Sequence, residues 1–463
     1  MRYVSTRGRA PEVGFIDALL GGLAPDGGLY APKTWPALTR AEIAAFAGAP
    51  YAQVAADILG RFAGDEIGRE TLVRICEEAY ATFTHEAVAP LRQLGPGRYV
   101  LELFHGPTLA FKDVAMQALS RLAEHALIER GRAMTIVCAT SGDTGGAAVE
   151  AFRGREHVRI VALFPEGRIS EVQRRFMTTA LDDNVRTVAV AGDFDDCQAI
   201  LKDLFRDEGF ARAVDLAAVN SINFARIAAQ SVYYFTAATT LGAPARPVAF
   251  VVPTGNFGDA YAGWVARRMG LPIERIIVAT NANDIVARAL ETGRYRRGPG
   301  VATQSPAMDI QVASNFERLW FEYGDRAETA KAFEAFARDG EIEIPAVALQ
   351  GMREAFRGVP VTEAQTSRAI LAAFNRSGQL VDPHTAVALA AADLCEPPAA
   401  GTPLVALATA HPAKFPQAVR AAVGLTPAAP RAAHDLAHRR ERFDCLPADA
   451  EAVKAYVRAF VAA

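Results

Sequence analysis

Cysteine is scarce and poorly spaced for cross-linking. Five residues, at 76, 138, 197, 395 and 445, include no CxxC pair. That pattern excludes a disulfide framework or a zinc knuckle and points to a reducing compartment. No sign of charge dominates: 49 Lys+Arg stand against 52 Asp+Glu, for a net charge of −3. A strongly basic nucleic-acid binder is thereby excluded. Long apolar runs are missing too. The longest uncharged stretch, from Ile227 up to Arg246, carries Gln, Ser, Thr, Gly and Pro and makes a poor membrane span. The start, MRYVSTRGRAPEVGF, lacks the apolar segment of a secretory signal, so a cytoplasmic location is expected. Lysine is rare: only residues 33, 112, 202, 331, 414 and 454, the remaining positive charge being Arg. Reactive-amine chemistry has few candidates.

Several catalytic signatures are absent as well. Neither GxGxxG nor GxxxxGK[ST] occurs, which excludes the common dinucleotide and triphosphate loops, and no GxSxG marks a hydrolase elbow. His434 and His438 share a helical spacing but lack the Glu of HExxH, so a solvated helix face is expected there. Arg294, Arg296 and Arg297 in GRYRRG read as an exposed loop.

What is present suits a large globular chain. The 463 residues are 51% hydrophobic and 22% charged, enough for about two to three domains with sizeable cores. Residues 1–95 show helical spacing in AEIAAFAG, YAQVAADILGRFAG and EIGRETLVRICEEAYATF, preceded by a Gly/Pro-dense loop, LGGLAPDGGLYAPKTWP. From about residue 98 short β-branched runs alternate with helical segments: RYVLEL, MTIVCA, VRIVALF, VRTVAVA, PVAFVV, RIIVAT and PLVALAT are each read as a strand. Alternation of this kind predicts an α/β fold with parallel sheet and crossover helices. Two α/β regions are expected, 96–245 and 246–463, the second with a helical insertion at about 310–375. The tail after about 425 reads as Ala/Pro-rich, then helical.

Ligands in such sheets sit beyond the carboxyl ends of the strands. After RYVLEL comes FHGPTLAFKDVAMQ, where Lys112 stands at a loop-to-helix junction beside Phe111 and Val114. Desolvation and the positive end of the helix dipole both favour a neutral, nucleophilic amine there, the alternative being a surface lysine on an amphipathic helix. After MTIVCA comes TSGDTGG. Thr140, Ser141 and Thr144 offer hydroxyls, and Gly142, Gly145 and Gly146 offer a backbone nest for an anion, unless the loop is simply a tight turn with a cap. After PVAFVV comes PTGNFGDAYAG, a glycine loop at a helix start suited to a phosphate. After PLVALAT comes AHPAKF, with Thr409, His411 and Lys414 at the strand end, read either as site residues or as simple strand termination.

Taken together, GLAPDGGLY, HGPTLAFKD, ATSGDTG, GDFDDCQA, NSINFARIAAQ, PTGNFGD, SPAMDIQVASNFERL, DPHTAVA and TAHPAKF occur in that order. This set resembles the threonine synthase family, in its longer subgroup with an N-terminal helical region, over residues 20–416. The resemblance implies PLP fold type II, the tryptophan-synthase β type: two open, mostly parallel sheets flanked by helices, with pyridoxal 5′-phosphate between them. It implies conversion of O-phospho-L-homoserine and water to L-threonine and phosphate. Lys112 would hold the cofactor as a Schiff base and serve as the catalytic base. Gly255, Asn256, Phe257 and Asp259 would bind or flank the cofactor phosphate, Thr409 would face the pyridine nitrogen, and Asp143 would lie near the cofactor's 3′-oxygen, where many relatives of the fold type carry Asn. Thr140, Ser141 and Thr144 would receive the substrate carboxylate, and Asn220, Ser221, Arg226 and Lys414 the substrate phosphate. A small-molecule substrate, no nucleic acid, no membrane and a monomer or small homo-oligomer are expected. A related hydroxyamino-acid dehydratase and a non-catalytic cofactor-binding protein stay open as alternatives.

Overall fold

A computed structural model describes residues 1–140, 142–217 and 221–462. Their Cα packing divides the chain into two compact units, one of residues 1–18, 23–115 and 221–428, the other of residues 19–22, 116–220 and 429–463.

The first unit is built on a six-stranded sheet in the order Phe356–Pro360, Ile273–Thr280, Val248–Pro253, Leu404–Ala408, Arg98–Glu102 and Leu91–Gly95. All neighbours pair parallel except the last, which closes as an antiparallel hairpin. The central runs VAFVVP and LVALA are buried at every position, as expected of strands covered on both faces. Val251, Ile277, Val387, Ala391 and Ala406 share one core, which joins the sheet to the helix Pro383–Leu394. Burying one such Val or Ile contributes about 1.5–3 kcal/mol. The helices Tyr51–Ala63 and Arg69–Tyr80 bear out the helical reading of the N-terminal region, although short strands Tyr3–Ser5 and Tyr30–Pro32 pair there as well. The second of these lies inside the stretch read as loop.

The second unit carries a five-stranded, wholly parallel sheet in the order Asp444–Pro447, Val185–Ala191, Val158–Pro165, Met134–Ala139 and Leu216–Ala217. Val137, Val161, Leu163 and Val188 pack with Ile200 and Leu204 of one helix and Val453 and Val457 of the C-terminal one.

These units cut across the expected divisions at 95 and 245. Parallel neighbours need crossover connections, and here the crossings are long: RYVLEL pairs with LVALA far downstream, while the tail DCLP returns to pair with VRTVAVA. The stretch 310–375 holds helices Phe316–Tyr323, Thr329–Asp339, Ala346–Ala355 and Glu363–Ser377, but also the edge strand FRGVP. Gly358 explains that strand: a Cβ there would lie 2.5 Å from Ala287 Cα, so only glycine lets the neighbouring helix approach.

Candidate active site

Parallel pairing brings three of the sequence-derived loops to one edge. Arg98–Glu102, Leu404–Ala408 and Val248–Pro253 are adjacent and run the same way, so the loops that follow them leave the sheet side by side. Main-chain bonds tie two of these loops: Leu103 N–H donates to Ala408 O, Phe111 N–H to Thr409 O (2.9 Å) and His411 N–H to Leu109 O (3.0 Å). The segment bearing Lys112 is thus strapped to the segment bearing Thr409 and Lys414.

Lys112 is the first residue of the helix Lys112–Glu129, with its Nζ 5.3 Å from the Phe111 ring centroid. Asp113 fixes its loop. This fully buried carboxylate accepts from Thr108 N–H (2.7 Å) and Thr108 Oγ1 (2.6 Å). Gly106 permits the turn, since a Cβ there would meet Asp113 Cβ at 2.5 Å. Lys414 is buried and donates from Nζ to Thr108 O at 2.9 Å, so it braces the same turn. His411 accepts from Ala413 N–H at Nδ1, and burial, aided by nearby His105, holds it down to about 4; it serves as a neutral cap.

The loop after VAFVVP turns into the helix Gly258–Arg268 through Phe257, which adopts left-handed φ, ψ of 64° and 5° and gives the helix no side-chain cap. A non-glycine residue in this region is uncommon and marks strain. Asp259, expected to bind or flank a phosphate at this loop, turns toward the neighbouring helix. Its Oδ1 accepts from Tyr233 Oη (2.5 Å) and Tyr234 Oη (2.9 Å), while Oδ2 is buried without a hydrogen-bond partner among the described residues. Burial pushes this carboxyl up to about 6 against the opposing pull of the two tyrosines. Asp259 therefore flanks the loop. In the same unit, Ser221 lies just before the helix Phe224–Thr240, whose first turn carries Arg226. Arg226 is 3% exposed, and among the described residues neither Nε nor Nη1 meets a hydrogen-bond acceptor. Burial lowers it to about 10. A buried guanidinium with two unanswered donors is suited to an anionic ligand.

In the second unit the geometry of the TSGDTGG loop favours the tight-turn reading over the nest. Gly142 N–H (2.9 Å) and Gly145 N–H (2.8 Å) both donate to Thr140 Oγ1, and Gly146 N–H to Gly142 O. These amides are turned inward because Thr140 is buried and satisfies the start of the helix Asp143–Phe152. Asp143 Oδ1 accepts from Gln173 Nε2 at 3.1 Å, and Thr144 sits in the first helical turn. Ser141 and Asn220 lie outside the described residues. Arg294, Arg296 and Arg297 are exposed, as expected, but Arg294–Arg296 is a short strand paired antiparallel with Glu341–Glu343 and not the expected loop.

Residues 2–80 match the family described as threonine synthase N terminus, 83–343 that of pyridoxal-phosphate dependent enzymes, and 385–457 that of threonine synthase, C-terminal. The threonine synthase of Pseudomonas aeruginosa is 49% identical over 460 residues, covering 99% of this chain and 98% of its own. That of Saccharomyces cerevisiae is 40% identical, with 91% and 89% covered. The chain belongs to the threonine synthase family. Among solved structures, PLP-bound threonine synthase from Brucella melitensis superposes with a TM-score of 0.97 at 50% identity and full coverage of both chains. The yeast enzyme gives 0.94 at 37%, with 100% and 99% covered.

The residues present fit the family's cofactor. The uncapped helix start at Phe257 offers first-turn amides of the kind that receive a phosphate. Gly255 admits the turn beside it, since a Cβ there would stand 2.8 Å from Ala307 O. The threonine synthase motifs also hold residues to which the sequence reading gave no role. His384 Nδ1 is paired with Asp382 Oδ2 (2.6 Å) and Nε2 accepts from Ala307 N–H (3.2 Å), which braces the turn against Gly255. Asn315 and Arg318 are both fully buried, in SNFER. Their place in DPHTAVA and SPAMDIQVASNFERL is the signal that could find them; nothing in spacing distinguishes a buried Asn or His from its neighbours. Among the described residues, no helix is long and apolar enough to cross a membrane.

Proposed function

We propose that this chain converts O-phospho-L-homoserine and water to L-threonine and inorganic phosphate, using pyridoxal 5′-phosphate. The observation that carries the reading is one compact unit that unites Lys112 on a pinned helix start, an uncapped helix at Phe257 and the unanswered donors of Arg226, in a chain kin to threonine synthases along its full length. The cofactor, when bound, supplies the electron sink that such carbon-acid chemistry requires. Lys112 would hold it; Gly255, Asn256 and Phe257 would seat its phosphate, with Thr409 at its ring nitrogen and Asp143 beside its 3′-oxygen. Arg226, with Ser221, would hold the substrate phosphate until it leaves Cγ, and Thr144 the substrate carboxylate. Lys112 Nζ would take the Cα proton, since an amine at this position serves first as anchor and then as base. Lys414 is assigned to the substrate phosphate through the turn it braces. Five unpaired cysteines suit a cytoplasmic setting.

The test is direct. The purified chain with added pyridoxal phosphate should release phosphate from O-phospho-L-homoserine with an equal yield of L-threonine. Lys112→Ala should abolish both without loss of fold. A 2-oxoacid from L-threonine with no phosphate release would overturn the reading in favour of a dehydratase.

A further inference from the structure

We propose that Asn315 and Arg318 form a positioning clamp that sets the cofactor-phosphate loop and the substrate-phosphate segment relative to each other. This rests on the function proposed above, which assigns Gly255–Phe257 and Ser221–Arg226 to the two phosphates.

Both loops hang on a single carboxamide. Asn315 Nδ2 donates to Ser221 O (2.9 Å) and to Asn256 O (3.2 Å), and the Asn315 main-chain N–H adds a bond to Asn256 O (3.1 Å). Arg318 orients that carboxamide by donating from Nη1 to Asn315 Oδ1. Its other donors reach two further main-chain oxygens, Ile222 O from Nη2 (2.5 Å) and Tyr30 O from Nε (3.0 Å). One guanidinium and one amide thus hold carbonyls from three separate stretches of chain.

Trans-peptide geometry gives this arrangement a consequence. The C=O and the following N–H of a planar unit point in opposite directions. Anchoring Asn256 O on Asn315 turns the Phe257 N–H away from it, and anchoring Ser221 O does the same to the next amide. The clamp therefore fixes which way each loop presents its donors. It also fixes their separation, because the two hydrogens of one NH2 group are a constant distance apart. Gly258 lets Asn315 come this close, since a Cβ there would lie 3.2 Å from its Nδ2.

The chemistry of Arg318 argues against simple filling. It is fully buried and is among the largest such side chains, and burial lowers it to about 10. Among the described residues its hydrogen bonds end on uncharged oxygens, and Tyr261 and Glu317 favour its charge only through space, by less than burial costs it. An apolar side chain of similar length would occupy the space at lower cost. What an apolar residue could not do is orient Asn315 and hold Ile222 O.

Asn315→Asp tests the clamp. It preserves volume and the acceptor for Arg318, but puts an oxygen against Ser221 O and Asn256 O in place of both donors. Three quantities should be measured beside wild type: the dissociation constant for pyridoxal phosphate, KM for O-phospho-L-homoserine at saturating cofactor, and the 31P resonance of the bound cofactor. The clamp predicts a tenfold or greater rise in both constants and a displaced resonance, with a melting temperature within a few degrees of wild type. Values within twofold for both constants, a change in only one of them, or a lowered melting temperature with normal affinities would each overturn it. Should Asn315→Asp not fold, Asn315→Ala is judged by the same criteria. Wild-type protein that binds pyridoxal phosphate but releases no phosphate would sink the functional reading, and the cofactor affinity and 31P resonance would still decide the clamp.

Discussion

Asp259 makes the stability of the first unit depend on pH in an unusual direction. Its carboxyl rises from an ordinary value of 3.8 to about 6, chiefly through burial. The orphaned Oδ2 is the structural sign of the same cost. With the folded-state value above the unfolded one, the folded chain binds more protons between these limits, so stability rises as pH falls through 6. Above pH 6 the full penalty for a buried carboxylate is present, and below 3.8 it has vanished. The gap corresponds to about 3 kcal/mol at pH 7.5, of which about 1.5 kcal/mol is recovered on going to pH 5. Asp259→Asn removes the titration while leaving an oxygen for Tyr233 and Tyr234. Thermal unfolding of cofactor-free protein, followed by fluorescence from pH 5 to 7.5, should show wild type gaining on Asp259→Asn by about 2–4 °C at the acid end. Tyr233→Phe should move the midpoint of this crossover upward, because the hydroxyl favours the ionised carboxyl. A constant gap between wild type and Asp259→Asn across the range would refute the argument.

Other substitutions separate the remaining parts of the site. Arg226→Met should raise KM for O-phospho-L-homoserine about 100-fold or more, since two charge-assisted bonds of about 1.5–3 kcal/mol each are lost; cofactor affinity, measured by absorbance titration, should stay within twofold. Gly255→Ala should weaken pyridoxal phosphate binding about tenfold or more in the same titration, because its Cβ would press on a backbone oxygen, Ala307 O, that cannot rotate away. Asp113→Asn should lower kcat and reduce stability by about 1.5–3 kcal/mol, read by denaturant unfolding, as a charged acceptor for Thr108 is lost.

Legibility in the sequence followed the physics of each element. The buried strands VAFVV, RIIVAT and LVALA declared themselves because strands covered on both faces have little choice of composition. The edge strands FRGVP and DCLP did not, since partial exposure relaxes that demand and both carry proline at the end. Strand order was also unreadable: no local pattern says that RYVLEL will pair with LVALA, and on that pairing depends the strapping of Lys112 beside Thr409. Loop chemistry was legible in type but not in direction. TSGDTGG has the glycines of an anion nest, yet Thr140 at its head satisfies two of their amides, a choice made by burial. GNFGD places an acid beside a glycine loop, but only the two tyrosines of the adjoining helix reveal that the acid is taken up there.

Arg226 and Arg318 are two buried guanidinium groups that meet opposite fates. Both are buried in the same unit, and burial brings each to about 10. Arg318 spends its donors on main-chain oxygens and one amide, closing the protein on itself. Arg226 keeps two donors that no oxygen of the described residues answers, at the start of a helix whose dipole repels a cation. Folding thus holds Arg226 in a state that protein contacts alone leave unfavourable, and an anion at that point relieves both the desolvation and the dipole. It follows that a phosphate-bearing ligand should stabilise the first unit by more than its hydrogen bonds supply, and that Arg226→Met should raise the melting temperature of the ligand-free chain while erasing that gain.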